Sequence, residues 1–143
     1  RPMRRMVMML LGFDAYAMMT MVFALSLFFP ALDFSMLTLS GSAAFCFLSA
    51  LIWLLYYPVS LRRALPWLFL VGIIVAECMT VIRFLPFGYL ASGLLITWIW
   101  YLLQLFLRFH FSVSDIQWKR QRWFLLGNAS LFVFFLLFVI RWI

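Results

Sequence analysis

The chain has 143 residues, of which 69% are hydrophobic and 10% charged, with a formal net charge of +7; soluble domains carry about 25% charged residues. Eighteen Phe, seven Trp and nine Met exceed what a soluble core of this size hides, because surface-to-volume scaling would leave much of that apolar area wet. The basic residues fall in short clusters between apolar runs and not along one polar face, which excludes a nucleic-acid surface and reads as membrane topology.

Residues 6–29 form the first predicted span. At about 1.5 Å per residue it crosses about 30 Å of hydrocarbon with some tilt. Pro30 ends it, residues 31–34 make a turn containing Asp33, and residues 35–57 form a second span that Pro58 stops. Arg62 and Arg63 follow, and Pro66 is assigned to the first turn of a third span, 65–84, where a helix needs no backbone donor. Pro86 and Gly88 leave so short a turn that this span and the fourth, 87–107, should be antiparallel neighbours. Residues 109–122 read as a basic interfacial segment, in which Ser112 and Asp115 have the spacing of a capping box. Lys119, Arg120 and Arg122 lie there between Trp118 and Trp123, a composition suited to contact with anionic lipid headgroups. Residues 123–140 make the last span.

The fold class is therefore an all-α membrane protein, a bundle of about five transmembrane helices with short loops forming one domain over 1–143. Pro30, Pro58 and Pro86 recur every 28 residues, but one span plus one turn has that length, so the recurrence is not read as an internal repeat. Alternate loops divide the basic residues nine to two, with Arg1, Arg4, Arg5, Arg62, Arg63, Arg108, Lys119, Arg120 and Arg122 on one side and Arg83 and Arg141 on the other. The positive-inside rule then predicts the N-terminus inside and the C-terminus outside, in a plasma or inner membrane. Trp53, Tyr56, Tyr57, Trp67, Trp118 and Trp123 are assigned to the inner interface, and Tyr89 and Trp142 to the outer one.

Few polar groups fall within the spans. Ser35, Thr38, Ser42, Cys46 and Ser49 share one face of the second, and Tyr89, Gly93, Thr97, Tyr101, Gln104 and Arg108 share one face of the fourth. Small residues and hydroxyls let membrane helices approach closely, so Ser42, Cys46, Ser49, Gly93 and Thr97 are assigned to helix packing. Asp14, Glu77, Thr80, Gln104 and Asn128 are the intramembrane polar residues available for packing or for proton transfer. Glu77 is expected to face the bundle interior, neutral, with Thr80 or another span as its hydrogen-bond partner. Asn128-Ala129-Ser130 matches a glycosylation acceptor but falls inside the fifth span, so Asn128 is expected to bond across helices or to the backbone.

The motifs of soluble chemistry are absent: the sequence has no glycine-rich phosphate loop, no HExxH and no CxxC. Two Cys and one His are too few for a zinc set, so neither metal nor cofactor is expected. His110 with Asp115 is the one pair that interfacial acid-base chemistry could use, and a solvated loop explains it without any enzyme activity. The function read from these features is a structural or interaction role, as a subunit or assembly partner in a membrane complex. The alternative is a transporter or proton-conducting component using Glu77. The partners implied are anionic headgroups on the inner side and other membrane-protein chains, with no nucleic acid.

Overall fold

The computed structural model describes residues 2–111 and 118–139. Among these residues there are five helices, α1 (Pro2–Phe28), α2 (Phe34–Tyr56), α3 (Leu61–Arg83), α4 (Tyr89–Phe111) and α5 (Trp118–Phe134), the last continued by a π-helical turn over Phe135–Val139. All five contain a stretch long and apolar enough to cross a membrane. Ser112 and Asp115 of the capping-box spacing, and Arg1, Arg141 and Trp142 of the topology argument, lie outside the described residues.

The ends of the helices follow local chemistry. α1 stops two residues before Pro30, and Asp33 starts α2 by accepting the Ser35 N–H on its carboxylate at 3.1 Å, satisfying one of the donors that every helix start leaves open. α2 stops at Tyr56, ahead of Pro58. α3 begins earlier than the sequence suggests, at Leu61, so Arg62 and Arg63 lie in its first turn and Pro66 lies inside the helix. Pro66 has no N–H, so the helical bond to the Arg62 carbonyl four residues back is missing within α3. α4 runs on through His110 to Phe111, and α5 opens at Trp118. Lys119, Arg120 and Arg122 occupy the first turns of α5.

Four helices make the bundle. α1 packs along α4 and α2 along α3, with lighter contacts joining α1 to α2 and α3 to α4. α3 and α4 do touch, as their short connection requires, but each packs more extensively on another helix. This leaves α2 diagonal to α4, and α1 diagonal to α3. The core shows helical spacing throughout: Ala15, Met19, Val22 and Phe23 from α1 meet Phe45, Ile52 and Trp53 from α2, Val71, Val75 and Met79 from α3, and Leu95, Ile96 and Trp100 from α4.

Glycines set the closest approaches. A side chain at Gly93 would meet the Thr20 backbone at 3.0 Å, so α4 lies against α1 with no room for a methyl group. Gly72 is seated on the Cys46 sulfur, at 2.8 Å from where its Cβ would be, and Gly41 on the Met79 methyl group at 3.0 Å. The Cys46 thiol donates to the Leu68 carbonyl at 3.3 Å, tying α2 to α3. With no hydrophobic drive between helices in lipid, such close packing is the main source of association.

α5 stands apart. Its described side chains are half-buried or exposed, and Phe132 and Phe135 bring it to α4 by edge and tilted contacts with Trp98, at 5.6 and 6.0 Å between ring centroids.

Candidate functional site

The polar groups that the structure brings together lie between the diagonal helices. Ser49 on α2 and Gln104 on α4 are both buried, and the Gln104 amide donates to the Ser49 hydroxyl at 2.6 Å. Trp100 donates its indole N–H to the same hydroxyl at 2.9 Å, and Ser49 in turn donates to the Phe45 carbonyl at 2.8 Å. A serine hydroxyl has one proton and two acceptor positions, so Ser49 is fully used. Trp53, one turn further along α2, donates to the side-chain oxygen Oε1 of Gln104 at 2.7 Å. Gln104 keeps one amide N–H with no partner among the described residues.

The spacing of this network is helical on both sides. Ser49 and Trp53 are four residues apart on α2, as are Trp100 and Gln104 on α4, so each pair projects from one face. Trp53, assigned from sequence to the inner interface, is instead only 1% exposed within the bundle. Buried indoles need a partner for the N–H, and Gln104 and Ser49 supply it. Serine and glutamine spaced for one face were visible in the sequence, but their pairing with two tryptophans across the bundle diagonal was not.

Adjoining the network is a cleft of about 750 Å³. Trp100 and Gln104 form part of its wall, and Tyr101, Leu105 and Arg108 continue that wall along α4. α1 contributes Arg5, Met8, Met9 and Gly12, and α2 contributes Ile52, Tyr56 and Tyr57. α1 begins and α2 and α4 end at this side of the molecule, so the cleft lies toward the bundle end that also holds Arg62 and Arg63. Tyr101 and Arg108 of the polar α4 face are exposed side chains of the cleft, whereas Gly93 and Gln104 are buried.

The remaining packing residues make local bonds. Ser42 donates to the Leu39 carbonyl at 3.1 Å and Thr97 to that of Gly93 at 2.8 Å. Asn128 donates to the Phe124 carbonyl at 2.9 Å, along its own helix. The Thr20 and Thr38 hydroxyls are buried without a hydrogen-bond partner among the described residues.

Glu77 departs from expectation. It is exposed on α3, as is Thr80, whose hydroxyl donates to the Ala76 carbonyl of its own helix at 2.9 Å. The reason is rotational: Val71, Val75, Met79 and Ile82 define the buried face of α3, and at about 100° per residue Glu77 projects nearly opposite it. Asp14 likewise points outward from α1. Neither acid joins the polar network, and the two lie on diagonal helices. At the opposite end of the bundle from the cleft, the Arg83 guanidinium rests over the Phe34 ring, 4.1 Å from its centroid. His110 packs its ring 4.6 Å from that of Trp67, while Asp115, its possible acid partner, lies outside the described residues.

Among the described residues no three His, Cys, Asp or Glu side chains are grouped so as to hold a metal ion. No protein-family model matches the chain, and no curated protein or solved structure shows significant similarity to it.

Proposed function

We propose that this chain is an integral membrane subunit that assembles with another membrane-spanning chain through the outer face of α3. The observation that supports this reading is the exposure of Glu77 in an apolar stripe with Leu70, Ile73, Val81 and Phe84. An ionised carboxylate facing lipid near the bilayer centre costs at least about 2.5 to 3.5 kcal/mol. Helical side chains lean toward the helix N-terminus, so Glu77 leans away from the nearer, Arg83 end of α3 and is poorly placed to reach headgroups there. A neighbouring span offering a hydrogen-bond partner to the carboxyl group at that depth removes the penalty.

In this reading the N-terminus is inside and the C-terminus outside, in a plasma or inner membrane. The basic first turns of α5, with Lys119, Arg120 and Arg122, then meet anionic inner headgroups.

Photo-crosslinking residues placed in native membranes test the assembly. A probe at Ile73 or Val81 should give an adduct with a second membrane chain, whereas one at Val75, within the core, should give none. Glu77→Leu should diminish the adduct and Glu77→Gln should retain it, because the amide keeps the hydrogen-bonding capacity of the neutral acid. Adducts with lipid alone would sink the proposal. Proton conduction by the purified chain alone in liposomes, abolished by Glu77→Gln, would replace it with the transport reading.

A further inference from the structure

We infer that the cleft between α1, α2 and α4 binds a phosphate-bearing amphiphile, its headgroup held by Arg5 and Arg108 and its chain lying along Met8, Met9 and Leu105. The inference does not depend on assembly through α3, since the cleft lies on other helices.

The volume of about 750 Å³ is within the usual range for small-molecule sites, about 300 to 1,000 Å³. Its charge has one sign. Of the four acids, Asp33 caps α2 at the far end of the bundle, Glu77 faces outward on α3, and Asp14 follows Arg5 by nine residues, about 13 Å along the helix. The fourth, Asp115, lies outside the described residues. Arg5 and Arg108 thus have no carboxylate partner among the described residues. Guanidinium groups are the side chains best matched to phosphate oxygens, which they bind through paired N–H donors.

The helix ends act against an anion here, and the magnitudes decide the outcome. The C-terminal ends of α2 and α4 contribute about half a negative charge each, and the start of α1 about half a positive one. Two full guanidinium charges outweigh that balance. They also sit at the membrane edge, where phosphates of lipid headgroups lie.

The inner wall requires more than a free phosphate. Beyond Arg108 the lining turns to Gln104, Leu105 and Trp100. Gln104 lies one helical turn, about 6 Å, deeper than Arg108, and its uncommitted amide N–H is at the depth of an ester carbonyl below a headgroup phosphate. A soluble phosphate would leave the methionines and this donor unused. A choline headgroup would add a cation beside two arginines.

The cleft also has an empty corner. A side chain at Gly12 would meet nothing within 4 Å, so Gly12→Leu should project into the cleft without disturbing the fold. It obstructs the path of the lipid chain while both arginines remain.

The test is retention of lipid by the purified full chain in neutral detergent, measured by native mass spectrometry. Phosphatidylglycerol, phosphatidylcholine and glycerol phosphate serve as probes, and size-exclusion chromatography checks that each variant stays monodisperse. Phosphatidylglycerol should be retained, phosphatidylcholine weakly, and glycerol phosphate not at all. Arg5→Gln and Arg108→Gln should each weaken retention about fivefold, the effect of one surface charge, and Gly12→Leu should also reduce it. Arg62→Gln and Arg63→Gln, at the same bundle end but outside the cleft, should leave it unchanged. Equal retention of the two lipids, or equal loss in the Arg62 and Arg63 variants, would overturn headgroup recognition by the cleft. Glycerol phosphate binding as well as the lipid would overturn the amphiphile and leave a soluble phosphate as the ligand. Undiminished retention by Gly12→Leu would move the lipid elsewhere.

Discussion

The Gln104 amide donates to the Ser49 hydroxyl at 2.6 Å across the diagonal of the bundle. That bond unites α2 and α4, which are not packed along each other, and its acceptor also receives the Trp100 indole N–H. Removing the hydroxyl deprives two buried donors at once, and an unsatisfied buried donor forfeits its full desolvation energy. Ser49→Ala should therefore destabilise the bundle by about 1 to 3 kcal/mol, read from unfolding in mixed micelles by tryptophan emission. Stability within error of wild type would mean that the network contributes nothing net.

Two glycines should respond to alanine with opposite signs. At Gly93 the added methyl meets the Thr20 backbone at 3.0 Å, and backbone cannot rotate aside, so Gly93→Ala should lose about 1 to 3 kcal/mol through separation of α1 from α4. At Gly12 the methyl enters open space, and Gly12→Ala should gain about 0.5 to 1 kcal/mol from backbone entropy. The same unfolding measurement checks both, and two changes of equal sign would contradict the packing described.

The Arg83 guanidinium stacked on Phe34 links the end of α3 to the start of α2. Arg83→Gln should destabilise by about 0.5 to 1 kcal/mol, the size of an exposed cation–π contact, and should speed amide hydrogen exchange in the first turns of α2. Arg83→Lys should recover part of the effect, since an ammonium keeps the charge but not the planar stacking. Exchange unaltered by the glutamine would remove any role for the contact.

The proposed inside location of the N-terminus rests on the distribution of basic residues and is checked by reporter fusions. A reporter joined after Asp33 and one joined after Arg63 should report opposite sides of the membrane, with the Arg63 fusion cytoplasmic. Signals on the same side would require one of the first two spans not to cross.

Most of the helical architecture was legible in the sequence because it depends on local quantities. Apolar length defines a span, and Pro30, Pro58 and Pro86 mark the turns, which fall within a few residues of the helix ends. The placement of Asp33 before α2 and the close-packing role open to Gly93 are likewise properties of residue type and spacing. The start of α3 is the exception. The stretch with Arg62 and Arg63 reads as a loop because it is charged and flanked by prolines, yet α3 begins at Leu61, since arginine is a good helix former and a first turn leaves its backbone donors open in any case.

Tertiary structure alone decided which polar residues meet. Glu77 was the most conspicuous residue in the sequence, yet the rotation of α3 that buries Val71, Val75 and Met79 turns it outward. Trp53 looked like an interface anchor until the pairing of α1 with α4 and α2 with α3 put α2 and α4 on a diagonal, where its indole reaches Gln104. Membrane helices are uniformly apolar around much of their circumference, so hydrophobic periodicity barely specifies their rotation. Close contacts such as Gly93 on Thr20 and Gly72 on Cys46 set that rotation, and they join residues from different helices that no reading of a single span can pair.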